Sequence, residues 1–281
     1  MSEAFSEKIE FPLKVTHNIT EKKSTRLLHI HDNGFELLFF IAGKVTYFYE
    51  TSIYTMQPGD ILLVPPDTIH GYQTHEDSYY ERIPLHIQRN LMLSLSTEKT
   101  SLLDAFQDPE HRIVHLSKPE MNQFIYYTDT IIKLNEEKPY GYDILTHAYL
   151  LILLLIVNTA YRNTYSTAKD ISPAVIRNAL DYINAHLTDN LTVQSIADEL
   201  GISSSRLSHL FKEHTGSSVW NYVMVKRLLL ARALLMEGKA VIDACYESGF
   251  RDYSHFNKAF SKTFHIAPGR FLKEQHLAET V

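Results

Sequence analysis

The sequence predicts an α+β multidomain chain: an N-terminal antiparallel β-barrel, a helical pair for dimerisation, and a C-terminal all-α domain with two helix-turn-helix units. Three observations predict it. Short strand-type segments broken by turn residues fill the stretch from Thr25 to about His115, two long apolar helical segments follow, and the last hundred residues carry one helix-turn-helix pattern twice, 48 to 49 positions apart. A length of 281 residues with 44% hydrophobic content also favours about two domains.

Residues 1 to 24 are weakly patterned. The barrel segments that follow read LLHIH, FELLFFIAG, VTYFYET, SIYTMQ, DILLVPP and YYERIPLHI. Many short strands at this spacing suit a closed fold, which leaves few exposed edges. Lys118-Pro119-Glu120 starts a helix running to about Glu137, with proline tolerated in its first turn. Lys138-Pro139-Tyr140-Gly141 breaks it, and a second helix runs from about Asp143 to Arg162. Its run from Ile144 to Ala160 is the one membrane suspect, but a span takes about 20 apolar residues and Thr146, His147 and Asn158 interrupt it. A helix buried in a core or at a dimer seam is expected, and the pair is assigned to dimerisation rather than to padding the barrel. Tyr165 to Ser172 is short and polar, as a hinge would be. The expected boundaries are residues 1–116 for the barrel, 117–165 for the helical hairpin, 166–172 for the linker and 173–277 for the paired helix-turn-helix domain.

The first unit runs from Leu191 to Gly216, with Val193, Ile196, Ala197 and Leu200 at helical spacing, Gly201 at the corner, and Leu207, Leu210 and Phe211 resuming the period. The second, from Val241 to Pro268, places Val241, Ala244 and Cys245 inward, Gly249 at the corner, and Phe256, Phe260 and Phe264 four apart. Two such units fit two adjacent major grooves of DNA, the second helix of each facing the bases. With the apolar positions turned inward, the first reading helix exposes Ser204, Ser205, Ser208, His209 and Lys212, with Arg206 at the border and Ser203 as N-cap. The second exposes Arg251, Ser254, His255, Asn257, Lys258, Ser261 and Lys262; Asn257 and Lys258 are the expected specifying pair, Lys262 lies nearer the backbone, and Arg251 suits a guanine.

The net charge of −6 is unevenly divided. Residues 173 to 281 carry 12 Lys and Arg against 11 Asp and Glu, or +1, while residues 1 to 172 carry 15 against 22, or −7. The acidic half is therefore expected away from DNA, and affinity for phosphate must come from local clustering or dimerisation. One cysteine excludes an internal disulfide framework and suits a reducing cytoplasm, and Cys245 reads as a buried small hydrophobe. No basic, apolar, small-residue segment opens the chain, so no signal peptide is expected.

From about Pro173 to Phe271 the chain resembles the AraC family of bacterial transcription regulators. Gly216, Tyr222, Arg227, Ala231 and Leu235 match that family's connecting helix, and Gly249-Phe250, Phe256, Phe260 and Pro268 match its second unit. Two departures are His265 where the family usually has Gly and Leu272 where it often has Arg. In the barrel, His29, His31, Glu36 and Gly43 resemble the first motif of cupins, and Pro58-Gly59-Asp60, Pro65 and His70 the second, with Asp67 replacing a Gly. A cupin-like barrel ahead of a double helix-turn-helix is an arrangement common in AraC-type regulators.

The resemblance implies a cytoplasmic homodimeric activator acting on double-stranded promoter DNA, with RNA polymerase as partner and no membrane. It implies a small-molecule effector, of carbohydrate type, in the barrel; His31, Glu36, Tyr47, Tyr49 and His70 are the candidate contacts. Seventeen tyrosines suit stacking on a polar ring, though tyrosine is also an ordinary strand former. No cofactor is expected, since the sensor barrels of such regulators mostly bind an organic effector without metal. If an ion is held, its ligands are His29, His31, Glu36 and His70; His29 and His31, two apart on a strand, share a face. Two alternatives stand beside the regulator: a metal-dependent cupin enzyme such as a dioxygenase, in which the paired helix-turn-helix has no role, and a DNA-binding protein whose barrel is a dimerisation scaffold only.

Overall fold

The computed structural model describes residues 6–22, 24–74, 79–108, 111–163 and 170–278. Among the described residues, ten strands form two antiparallel sheets. One contains β1 (Leu13–Val15), β9 (Tyr80–Gln88), β4 (Gly34–Gly43), β7 (Asp60–Val64) and β10 (Ile113–His115) in that order, with β2 (Asn18–Thr20) pairing on β9. The other orders β3 (Thr25–His29), β8 (His70–Thr74), β5 (Val45–Tyr49) and β6 (Ser52–Thr55).

The two-residue period of a strand explains how one chain serves several cores. On β4, Leu38 and Phe40 point between the sheets, where they meet Val45, Tyr47, Leu62, Val64 and Tyr80. Phe35, Leu37 and Phe39 point the other way, into a second core closed by helices. Strands buried on both faces lose polar alternation, which is why LLFFIAG after Glu36 and ILLV after Asp60 read as unbroken apolar runs.

The helices closing that second core are α3 (Lys118–Glu137) and α4 (Tyr142–Asn163), with the short α1 (Arg89–Leu95) and α2 (Asp104–Gln107) beside them. Ser117 starts α3 with a capping box, its backbone N–H donating to Glu120 Oε2 at 2.7 Å. Lys138 ends it in the left-handed conformation, φ 48°. At 22 residues α4 is longer than its apolar run suggested and is long and apolar enough to cross a membrane by length and composition, yet Leu150, Leu153, Leu154 and Val157 are fully buried against the sheet. Its other side leaves Ile144 71% exposed, with Leu145 and Leu155 also uncovered.

The C-terminal helices are α5 (Ala174–Ala185), α6 (Val193–Glu199), α7 (Ser204–Thr215), α8 (Val219–Met236), α9 (Val241–Glu247), α10 (Tyr253–Phe264) and α11 (Pro268–Ala278). They form the two expected helix-turn-helix pairs, α6–α7 and α9–α10, joined by α8, which is buried along Tyr222, Val223, Val225, Leu228, Ala231 and Leu235. Cys245 is buried, and Leu272 packs against this core. His265 ends α10 at φ 58°, so the position demands the left-handed backbone that glycine usually supplies, and histidine adopts it here.

The helical core continues onto the outer face of the smaller sheet. Leu28, Ile30, Phe48, Ile53 and Ile69 share one apolar cluster with Phe211 and Tyr222, the Phe48 and Tyr222 rings meeting edge to face at 6.1 Å. The last three residues of the stretch Tyr165–Ser172 pair with the smaller sheet. Residues 165–169 lie outside the described residues, but Asp170 bridges Tyr54, Ile171 N–H donates to Ile53 O at 2.8 Å, and Ile53 N–H donates to Ser172 Oγ at 2.8 Å. The unpaired edge of β6 has backbone groups to satisfy, and this polar stretch satisfies them.

Candidate functional site

Strand parity sends a row of polar side chains inward between the sheets. His29 on β3 and His70 on β8 are register partners, and Glu36 on β4 faces His86 on β9. His31, two residues beyond His29, shares its face. The ligand atoms of His29, His31, Glu36 and His70 all lie within 4.8 Å of one another, and all four residues are buried.

The hydrogen bonds of this cluster fix its chemistry. Each imidazole turns Nδ1 to a backbone carbonyl: His29 to Leu27 O at 3.0 Å, His31 to Glu7 O at 3.1 Å and His70 to Thr68 O at 2.9 Å. A carbonyl only accepts, so Nδ1 carries the proton in all three and a neutral ring presents its Nε2 lone pair inward. Nε2 of His31 and of His70 lie 3.2 and 2.9 Å from Glu36 Oε2. A lone pair facing a carboxylate at that distance is repulsive, so the contacts call for a proton shared between ring and carboxyl or a metal ion among the four. Burial depresses His31, but the bond to Glu36 more than compensates and raises its pKa above the usual histidine value. Burial, followed by His70 and His31, holds His29 well below it. Burial alone would raise Glu36; His86, His31 and His70 together hold it well below the carboxylate range. Three imidazole nitrogens and one carboxylate oxygen, each ring oriented by a carbonyl behind it, are a donor set that fits zinc, manganese or iron.

A cavity of about 330 Å³ opens beside the cluster, walled by His29, Glu36, Tyr47, His70, Arg82 and His86 among others. Of the expected effector contacts, Glu36, Tyr47 and His70 line it. His31 belongs to the cluster but faces a neighbouring cleft, and Tyr49 lies off the cavity, its ring 5.9 Å from the Arg112 guanidinium. Sequence reading missed Arg82, His86 and Tyr72. The signal was present in YYERIPLHI, whose alternate positions Arg82, Pro84 and His86 all line the cavity.

On the helical side, Ser203 caps α7, accepting from Arg206 N–H at 3.2 Å, and Asp252 caps α10, accepting from His255 N–H at 2.5 Å. Ser205, Arg206, Ser208, His209 and Lys212 on α7 are exposed, as are Arg251, Ser254, His255, Lys258 and Lys262 at α10. Three of the expected residues sit differently, Ser261 being half-buried along with Ser204 and Asn257. Ser204 is half-buried and its Oγ donates to Gln194 Oε1 at 2.5 Å, tying the reading helix to α6; Asn257 is half-buried beside exposed Lys258.

The β7–β8 turn links the two halves. Asp67 has φ 67°, which explains glycine at this position elsewhere, and its carboxylate pairs with Arg232 of α8. Its N–H donates to His31 O at 2.8 Å.

Two family models match the chain: an AraC-like ligand binding domain over residues 17–115 and a helix-turn-helix domain over residues 196–274. The chain is similar to the arabinose operon regulatory protein of Salmonella typhimurium, 28% identical over 247 residues that cover 85% of this chain and 83% of that one. It is also similar to the lactose operon transcription activator of Staphylococcus xylosus, 25% identical over 232 residues covering 82% and 80%. Among solved structures, ToxT from Vibrio cholerae with an unsaturated fatty acid bound matches with a TM-score of 0.39 and 15% identity over 97% of each chain.

Proposed function

Because the chain belongs to the AraC family of DNA-binding transcription regulators and carries that family's ligand-binding domain, we propose that it is a cytoplasmic, homodimeric activator that engages promoter DNA and RNA polymerase under control of a small molecule in the barrel. The observation that carries this reading is the pair of capped reading helices, each presenting an exposed face of hydroxyl, imidazole and ammonium groups. These are groups that contact base edges and phosphates. Residues 1–116 form the effector unit, 117–165 the dimerisation hairpin, 166–172 the linker and 173–277 the DNA-binding unit, and the protein is not an enzyme. The apolar side chains left uncovered on α4 support the dimer assignment.

The test is selection of bound sequences from random duplex DNA by the full-length protein. Enrichment of two elements about one helical turn apart is expected. No enrichment, with or without candidate effectors and added manganese or iron, overturns the reading and favours an enzyme.

One observation favours a second reading of the barrel: the three oriented imidazoles closing on Glu36. His29, His31, Glu36 and His70 would hold a divalent transition ion, which when bound supplies a Lewis-acidic anchor for effector oxygens. Glu36 and the three imidazoles would then bind and orient the effector through that ion rather than directly.

A further inference from the structure

We propose that the effector is a compact hydroxylated carboxylate, its carboxylate seated on Arg82 and its hydroxyl groups directed to the Glu36–His70 end of the cavity. This rests on the reading of the barrel as an effector chamber and names the ligand's chemical class.

Arg82 lies half-buried on the inner face of β9. Its Nη1 donates to Thr20 Oγ1 and its Nη2 to Tyr72 Oη, both at 3.0 Å. Its Cζ stands 4.3 Å from the centre of the Tyr80 ring and 5.1 Å from that of Tyr72. All these partners are neutral, and among the described residues no carboxylate lies within ion-pair distance of it. A guanidinium has five N–H donors, of which the fold uses two here. Withdrawing a cation from water is unfavourable unless an anion meets it, and the stacked, hydrogen-bonded setting holds the planar fork ready for a two-oxygen acceptor.

The other charges of the wall point the same way. Arg26 and Glu7 pair with each other, and Glu36 is occupied by its histidines, which leaves Lys14 and Arg82 as the remaining lysine and arginine of the wall. The chamber is thus locally positive inside the half of the chain that carries −7. A neutral ligand leaves that charge unanswered. At the Glu36–His70 end, the Glu36 carboxylate suits hydroxyl groups rather than a second anion, and the Tyr47 hydroxyl on the wall adds a neutral partner. A volume of about 330 Å³ limits the occupant to a small molecule.

The test uses matched pairs that differ in the carboxylate: D-galacturonate against D-galactose, D-gluconate against D-glucose, and L-lactate against 1,2-propanediol. Binding to the full-length protein is followed by calorimetry and thermal shift. At least one acid is expected to bind about tenfold or more tightly than its neutral partner. Arg82→Gln should abolish that preference and Arg82→Lys should keep part of it; if Arg82→Gln does not fold, Arg82→Lys alone must weaken the acid. Equal binding of acid and neutral partner, acid binding indifferent to both substitutions, or no acid binding at about 10 mM overturns the proposal. A neutral sugar that binds at least as tightly as its acid partner would leave the effector-chamber reading standing while removing the acid; silence from both sets counts against both.

Discussion

Gly201 and Gly249 occupy the same corner of the two helix-turn-helix units, 48 residues apart, and both have left-handed backbones, at φ 65° and 88°. Their surroundings differ. A Cβ on Gly201 meets nothing within 4 Å, whereas one on Gly249 meets Leu187 O, Thr188 Cα and Arg227 Nε, each at 2.9 Å. Alanine at either site costs about 1–2 kcal/mol for the left-handed conformation, offset by about 0.4–1 kcal/mol through the stiffer unfolded chain. Gly201→Ala should therefore destabilise by about 0–1.6 kcal/mol. Gly249→Ala adds about 1–3 kcal/mol of overpacking, because two of the three atoms are backbone. The third belongs to the buried Arg227, whose Nε donates to that same Leu187 carbonyl at 2.9 Å. A difference near 2 kcal/mol corresponds to about 4–8 °C in Tm for a chain of this size. Scanning calorimetry of the two variants side by side cancels the shared backbone term. Equal melting temperatures would refute the argument that the second corner is packed and the first open.

Lys258→Ala and His209→Ala should each weaken binding to the selected DNA by about 1–3 kcal/mol, read by fluorescence anisotropy at fixed salt; unchanged affinity for both removes these helices as the reading elements. Total metal analysis of protein purified without a histidine tag decides between the two readings of the barrel: a stoichiometric transition ion lost in Glu36→Gln supports the four-residue ligand set, and ion-free protein supports an organic effector alone. Charge placed on the uncovered side of α4, as Ile144→Lys with Leu155→Glu, should shift the full-length protein from dimer to monomer in analytical ultracentrifugation. An unchanged sedimentation coefficient would assign the dimer contact elsewhere.

Local patterns in the sequence carried far, because helices and caps are written in neighbouring residues. Ser203 as N-cap, the break at Lys138, and His265 taking a glycine conformation all follow from short-range rules and all stand in the structure. The inward set His29, His31, Glu36 and His70 also follows from parity on strands whose period is two. What escaped depends on partners distant in sequence. Arg82 was legible as part of a strand, but its role depends on Thr20 and Tyr72 across the sheet. Tyr49 has the same parity as Tyr47, yet lies off the cavity beside Arg112 from another strand's approach. Asp67 was visible as a departure from glycine, but the reason for it stands 165 residues away at Arg232.

The turn that carries Asp67 answers to two masters. Its N–H holds the carbonyl of His31, the next residue's carbonyl orients His70, and its carboxylate grips α8. A ring that shifts to accommodate an occupant of the chamber must either stretch those bonds or carry the turn along, and with it the grip on Arg232. To the extent that this grip differs between the DNA-bound and free forms, occupancy and DNA affinity become one linked equilibrium: whatever factor the occupant imposes on the affinity for DNA, DNA returns to the affinity for the occupant.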